Sequence, residues 1–295
     1  VTARRRTVRC YRRRVAGILY VVATPIGNLG DMSPRAVETL RACDRIAAED
    51  TRHTRPLLAH FGVHGKPLVA LHAHSKDHEV ARLAGALVAG ESVALVTDAG
   101  TPAVSDPGDA LVRAAIDAGV RVVPIPGASA VLAALVASGI AGGAGFRFVG
   151  FLPRDGAARR EAIGKIAETP EPVVLFESPN RTQATLADLA GATPARPAAV
   201  ARELTKVHEE VVRGSCRDLA ALDREWIGEI AIVLGAHEPG AREEAIDDAA
   251  LDARIDAELA AGAHAKTVAE RLAAWSGRGK RDVYERVVLR KQRGR

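Results

Sequence analysis

The chain is 295 residues long and 47% hydrophobic, enough for two α/β domains with cores of their own plus a small appendage, while 3% aromatic residues exclude a base-stacking platform built from several rings. Its formal charge of +5 is uneven: residues 1–14 hold seven arginines and no acid, which leaves the remainder at −2, and eight Arg or Lys against Asp282 and Glu285 concentrate positive charge between Arg278 and Arg295. No segment approaches the roughly 18 to 20 apolar residues of a membrane span, no run resembles a signal peptide, and Cys10, Cys43 and Cys216 form neither a CxxC nor a Cys/His cluster, so a soluble cytoplasmic protein with no metal and no disulfide is expected.

Val15 stands directly before the first strand-like run, and valine codons can start bacterial translation. Residues 1–14 are therefore expected to be a start-site artefact or a disordered tail, with an RNA-binding arm as the alternative. From residue 15 an α/β domain is predicted to residue 126. Its first strand, Ile18–Ala23, runs into the turn-rich loop Thr24–Gly30, after which Ser33-Pro34 caps a helix to about Ala42. Strands at Arg45–Ala48, Pro67–Leu71, Ser92–Thr97 and Arg121–Ile125 alternate with helices near Thr51–Phe61, Lys76–Ala89 and Pro107–Ala118, the pattern of a parallel-rich sheet with binding loops at its strand ends. A helix at Ala128–Ser138 opens a second α/β domain, residues 127–237. Its strands fall near Arg147–Phe151, Val173–Phe176, Ala198–Glu203 and Glu229–Leu234, and its helices near Ala157–Ile166 and Thr182–Leu189.

Pro239-Gly240 marks a linker over Ala236–Arg242. Residues 243–295 then show apolar spacing every three or four residues, as at Leu251, Ile255 and Leu259, implying three short helices. Ser276-Gly-Arg-Gly279 suits a helix-turn-helix break, and the last helix carries Lys280 and Arg281 as candidates for RNA. A dimerisation or capping bundle is the alternative.

Two loops invite a small ligand. Val93–Gly108 is a buried strand running into a loop with two Asp, two Gly and two Pro, where small residues let a ligand approach the backbone and the next helix offers free amides. Asp98, just past the strand, suits ribose hydroxyls or an amino-acid ammonium, with turn formation as its competing role. In Val123–Ala130, Gly127 permits close approach and Ser129 offers a hydroxyl or simply caps the helix. Neither GxGxxG nor GxxxxGK[ST] follows the first strand, so a dinucleotide or P-loop site is disfavoured. His208-Glu209-Glu210 lacks ligand spacing and is expected to be a solvated charged segment.

Eight ordered blocks resemble the tetrapyrrole methylase family, and within it the branch that acts on ribosomal RNA: Ala23–Asn28, Ala48–Arg52, Thr97–Pro102, Ser105–Gly108, Pro126–Ala130, Gly150–Arg154, Glu177–Arg181 and Ala201–Lys206. The resemblance runs from about Gly17 to Leu234, with a tail like that branch's helix-turn-helix domain. It implies a two-domain fold of the class III methyltransferases with S-adenosyl-L-methionine between the domains, a homodimer, and 2′-O-methylation of a decoding-centre cytidine in small-subunit rRNA, naked or in the assembled subunit. By position it places Pro25, Thr97, Asp98, Gly100, Thr101, Val104, Ser129, Ala130, Phe176 and Leu204 at the methyl donor. Thr97 and Ala99 replace the Gly and Pro that flank the family's loop aspartate, the segment His72-Ala-His-Ser75 lacks the family's Glu and Asn, and Asn180 stands where His is common.

A ribose hydroxyl is a poor nucleophile. Positioning it in line with the methyl group can remove on the order of 7 kcal/mol of barrier, and a positioned base adds roughly a hundredfold or more. Glu49, Asp50, Glu203 and Lys206 are the candidate bases, Lys206 only if its pKa is lowered, and Arg52, Arg181 and Arg202 suit phosphate positioning. The competing role of each is an interdomain salt bridge. A tetrapyrrole C-methyltransferase and a non-catalytic ribosome-assembly factor are the rival readings.

Overall fold

The computed structural model describes residues 16–72, 77–105, 108–143, 145–237 and 246–293. The tail 1–14, residues 73–75 of the histidine segment, Asp106-Pro107 and most of the anticipated linker lie outside the described residues. The chain divides into two compact units, one ending at Ala130 and the other beginning at Val131.

In the first unit, strands β1 (Ile18–Val22), β2 (Arg45–Ala48), β3 (Leu68–Ala70), β4 (Val93–Val96) and β5 (Arg121–Ile125) alternate with helices α1 (Pro34–Ala42), α2 (Thr51–His60), α3 (Asp77–Val88) and α4 (Asp109–Asp117). All strand pairs are parallel, in the order β3-β2-β4-β1-β5. Central β4 is buried on both faces: Val93 and Leu95 pack with Leu83, Leu87 and Leu111, while Ala94 and Val96 pack with Leu40, Ile46 and Leu58. Two-sided burial is why these strands read as unbroken apolar runs. Because every strand points the same way, the turns after β1, β2, β4 and β5 gather at one end of the sheet, where parallel sheets place their ligand sites. The caps follow their residue types: Ser33 Oγ accepts from Ala36 N at α1, and Asp50 Oδ1 from Arg52 N at α2.

The second unit begins with α5 (Ala130–Ser138, its first residue still in the first unit) and adds β6 (Arg147–Phe151), α6 (Gly156–Ala167), β7 (Val173–Glu177), α7 (Pro179–Ala192), β8 (Pro197–Arg202), β9 (Glu210–Ser215), α8 (Cys216–Ala220) and β10 (Ile230–Leu234). Its sheet is mixed, in the order β6-β7-β10-β8-β9: β6 and β7 are parallel, β10 runs antiparallel to β7 and β8, and β9 antiparallel to β8. Helices α6, α7 and α8 cover one face through Ile163, Ile166, Leu186, Leu189 and Leu219. Arg196 is 1% exposed and donates to three main-chain carbonyls, Gly235 O (2.9 Å), Ile166 O (2.8 Å) and Glu171 O (2.8 Å).

Strand β9 and helix α8 were not foreseen from the sequence. An edge strand, half-buried and bearing Glu210 and Arg213, shows no apolar run, and α8 has only five residues behind a Ser215/Asp218 capping box. The expectation of a solvated segment at 208–210 fails at Glu210, whose carboxylate accepts from Arg224 (3.0 and 2.8 Å) and from Arg202 (3.2 Å). The Arg224 hydrogen bonds, helped by Arg202, hold the Glu210 carboxyl down at about 2 against an ordinary 4.5. A depressed carboxyl contributes stability above its unfolded value and loses it as pH falls toward the folded one. Glu210→Gln is therefore expected to flatten the acid limb of a urea-denaturation profile between pH 4.5 and about 2, and an unchanged limb would discount the pair.

Three helices close the second unit: α9 (Asp248–Ala260), α10 (Ala265–Ser276) and α11 (Lys280–Arg293), packed around Leu251, Ile255, Val268, Leu272, Val283 and Val287. Helix α10 ends on Gly277 in the left-handed region (φ 69°), as a glycine after a helix permits. Asp248, Asp252 and Asp256 form a stripe on α9 that pairs with Arg278, Arg286 and Arg290. Arg254 and the Trp275 indole (Nε1, 2.9 Å) meet at Asp218 and so join these helices to α8.

Candidate active site

In the first unit the turns after β1, β4 and β5 are tied together by main-chain geometry. Thr24 and Gly100 form an antiparallel bridge (Thr24 N to Gly100 O, 2.8 Å; Gly100 N to Thr24 O, 3.1 Å), and the buried Thr24 hydroxyl donates to Thr97 O at 3.1 Å. Thr101 Oγ1 donates to Ala128 O at 3.3 Å. Gly127 approaches so closely that a Cβ there would lie 2.9 Å from that of Ala23. Pro25 is buried beside this bridge, Val104 is exposed, and Ser129 immediately precedes α5, whose first residue is Ala130.

A polar knot sits at the neighbouring strand ends. Glu49, after β2, accepts from the Thr97 hydroxyl and, at 3.3 Å, from Asp98 N. Asp98 in turn accepts from Asp50 N at 3.1 Å and has His53 Nδ1 at 2.9 Å from its Oδ2. The Asp98 hydrogen bond raises the His53 pKa and favours the imidazolium. Hydrogen bonds from the Arg52 side chain and amide hold the Asp50 carboxyl well below the usual carboxylate range. Asp98 is thus fixed by its neighbours, with its side chain still about one-third exposed. His53 and Thr24 were missed from the sequence: nothing in their local pattern marks them, since their partners lie 45 and 73 residues away.

In the second unit, Glu203 follows β8 and accepts from Glu229 N (2.9 Å) and Lys206 Nζ (2.9 Å), while Lys206 also reaches Glu229 at 3.1 Å. Burial alone would lower the Lys206 pKa, but its hydrogen bonds to Glu203 and Glu229 outweigh that and raise it. The condition set for Lys206 as a base is therefore not met. Glu203 is held below the ordinary carboxylate value by the Glu229 amide and then by Lys206. Leu204 is buried, and Phe176 on β7 stands in an aromatic cluster with Phe148 (5.0 Å) and Phe151 (5.7 Å between ring centroids).

Non-glycine residues in the left-handed region are uncommon. Among the described residues they are Ala103 and Ser105, in the loop after β4 singled out from the sequence, and Glu203 and Thr205, in the loop after β8. Such conformations cost of order 1–3 kcal/mol each and concentrate at ligand and catalytic sites.

The anticipated phosphate-binding arginines differ in availability. Arg52 is exposed, though its guanidinium pairs with Asp50. Arg181 lies 3.3 Å from the fully buried carboxylate of Glu177 and donates to the carbonyls of Leu152 and Pro153, and Arg202 donates to Ile227 O and Glu210. None of these pairs joins the two units: that of Arg52 lies within the first, and those of Arg181, Arg202 and Lys206 lie within the second. On α11, Lys280 and Arg281 are exposed, and among the described residues Arg281 pairs with Glu285 on its own helix. No group of three or more His, Cys, Asp or Glu among the described residues is arranged to hold a metal ion.

Residues 18–220 match the family of Tetrapyrrole (Corrin/Porphyrin) Methylases. The chain is similar to the ribosomal RNA small subunit methyltransferase I of Xylella fastidiosa (52% identical over 204 residues; 69% of this chain, 74% of the relative). It is also similar to that of Halalkalibacterium halodurans (40% over 284 residues; 95% and 98%). Among solved structures, diphthine synthase shares the fold (TM-score 0.56, 19% identity, 75% of this chain and 92% of that one). So does Thermus thermophilus uroporphyrin-III C-methyl transferase, solved with S-adenyl homocysteine (TM-score 0.53, 20% identity, 74% and 97%). Sheet order, strand-end loops and these similarities agree: the chain belongs to the tetrapyrrole methylase family and is a methyltransferase.

Proposed function

We propose that this chain transfers a methyl group from S-adenosyl-L-methionine to the 2′-hydroxyl of a decoding-centre cytidine in small-subunit ribosomal RNA. The observation that carries the RNA substrate is the 40% identity extending over 284 residues to a relative named for ribosomal RNA, a length that takes in the C-terminal helices. The tetrapyrrole C-methyltransferase fold, by contrast, accounts for about three quarters of the chain. A homodimer and a cytoplasmic location accompany this reading. No helix among the described residues is long and apolar enough to cross a membrane.

The residues of the first unit fit such a donor. Small residues at Gly100, Gly127 and Ala128 open the backbone, and Asp98 offers a carboxylate to hydroxyls or an ammonium; the family resemblance assigns Pro25, Thr97, Thr101, Val104, Ser129 and Ala130 to the same donor. Phe176 and Leu204 are assigned to the donor by the family resemblance. The donor supplies an electrophilic methyl on a sulfonium whose positive charge disappears as the methyl leaves, so the protein's tasks are to orient the hydroxyl, exclude water and accept its proton. Asp50 and Glu203 are weakened as bases by the hydrogen bonds that lower their pKa, and Lys206 is held in its protonated form by Glu203 and Glu229, with no free electron pair to accept a proton. Glu49 is the candidate that remains, bound to Thr97 and Asp98 through one carboxylate oxygen, Oε2.

Glu49→Gln is expected to lower kcat by roughly a hundredfold with donor affinity kept, and Lys206→Met to leave kcat within a few-fold. Single-turnover methyl transfer checks both, and a normal rate for Glu49→Gln removes it as the base. Mass spectrometry of rRNA nucleosides from cells with and without the gene tests the function itself. Loss of one 2′-O-methylated cytidine is the expected result, and an unchanged profile contradicts it.

A further inference from the structure

The second unit carries an open groove of about 490 Å3 at the start of α6, walled by Arg154, Asp155, Arg159, Arg160, Ile163 and Asp188. We propose that this groove binds a phosphodiester of the RNA backbone, with Arg154 and Arg160 as its charged contacts, an inference that rests on the ribosomal RNA reading above.

The groove is built from beneath. Arg159 is 9% exposed and holds Asp188 Oδ2 at 2.8 Å, Thr185 Oγ1 at 2.9 Å and Pro153 O at 3.2 Å, with the buried Glu177 carboxylate 4.0 Å away. From the other side of Glu177, Arg181 donates to Leu152 O and Pro153 O at 2.9 and 3.0 Å. Two arginines sharing one buried carboxylate thus clamp the carbonyls of the turn after β6, and Arg154 is the next residue along it. Cations committed in this way, one buried and one half-buried, leave no free charge of their own, but they fix what the surface presents.

What it presents is cationic and unspent. Arg154 and Arg160 are exposed and form no ion pair with another described residue. Asp188 is already matched by Arg159, which leaves Asp155 as the single opposing carboxylate on the rim. No side chain caps α6, so the first-turn amides beginning at Gly156, itself a wall of the groove, add preference for an anion. Planar guanidinium forks match phosphate oxygens two at a time. An open groove admits a continuous strand, and with no aromatic ring in its wall it reads backbone and not base. Its contribution is therefore to place the RNA, independent of sequence.

The test uses the full chain with Arg154→Gln and Arg160→Gln together, and Arg82→Gln on α3 as a charge control. Binding of small-subunit rRNA is titrated from low to high salt, alongside methyl transfer and donor binding. Loss of the two contacts is expected to weaken RNA binding at least roughly tenfold and to reduce the log–log salt slope by about 0.7 or more, with donor affinity unchanged. If the double variant matches Arg82→Gln in affinity and slope while the parent binds and methylates rRNA, the groove is overturned and the RNA reading stands. A parent chain that neither binds nor methylates rRNA overturns both.

Discussion

Asp98→Ala is expected to abolish most methyl transfer, with kcat/KM down by a hundredfold or more and donor affinity down by a similar factor. Two charge-assisted hydrogen bonds to a donor, at about 1.5–3 kcal/mol each, set that scale. The same change removes the acceptor that holds Asp50 N at the start of α2 and the anion facing His53. Asp98→Asn keeps an acceptor for Asp50 but not the charge, so it separates the two effects. If charge toward the donor matters, Asn behaves like Ala in isothermal titration with S-adenosyl-L-methionine. Wild-type affinity in both variants would reduce Asp98 to a turn residue.

The second large effect concerns stability. Arg196→Met is expected to cost about 3 kcal/mol or more, because it leaves the carbonyls of Gly235, Ile166 and Glu171 without their buried donor. The opposing contribution is relief of a desolvated cation that has no carboxylate beside it among the described residues, and burial does lower the Arg196 pKa. Three lost acceptor contacts outweigh it. Urea denaturation of Arg196→Met beside Arg196→Lys measures the balance. Lys, which reaches fewer acceptors, should fall between, and a Met variant as stable as the parent would show that the carbonyls find other partners.

What was legible in the sequence follows from what is local. Strand β4 reads as Val-Ala-Leu-Val because it is buried on both faces, and the caps at Ser33 and Asp50 sit beside the amides they satisfy. The loop after β4 is visible as a run of small residues because its geometry is set by backbone conformation. The Glu49–Thr97–Asp98–His53 knot is not visible in this way, since it joins segments 45 to 49 residues apart at adjoining strand ends. For Lys206 the pKa is raised by Glu203 and also by Glu229, which arrives from the turn before β10 and is not visible in the local sequence. Charge counting likewise saw an excess on α11 but not that Arg286 and Arg290 face aspartates of α9.

On the ribosomal RNA reading proposed above, that aspartate stripe sets how the last helix would meet a polyanion. Side chains already locked in ion pairs hold α11 at a fixed angle to α9 before any partner arrives, so docking demands little further ordering. The outward residues Lys280, Arg281 and Lys291 are then carried as a rigid template whose fit is decided by shape. On that same reading, a nucleic acid that does not match this preset spacing gains nothing from the inward arginines, which are already paired with aspartates of α9.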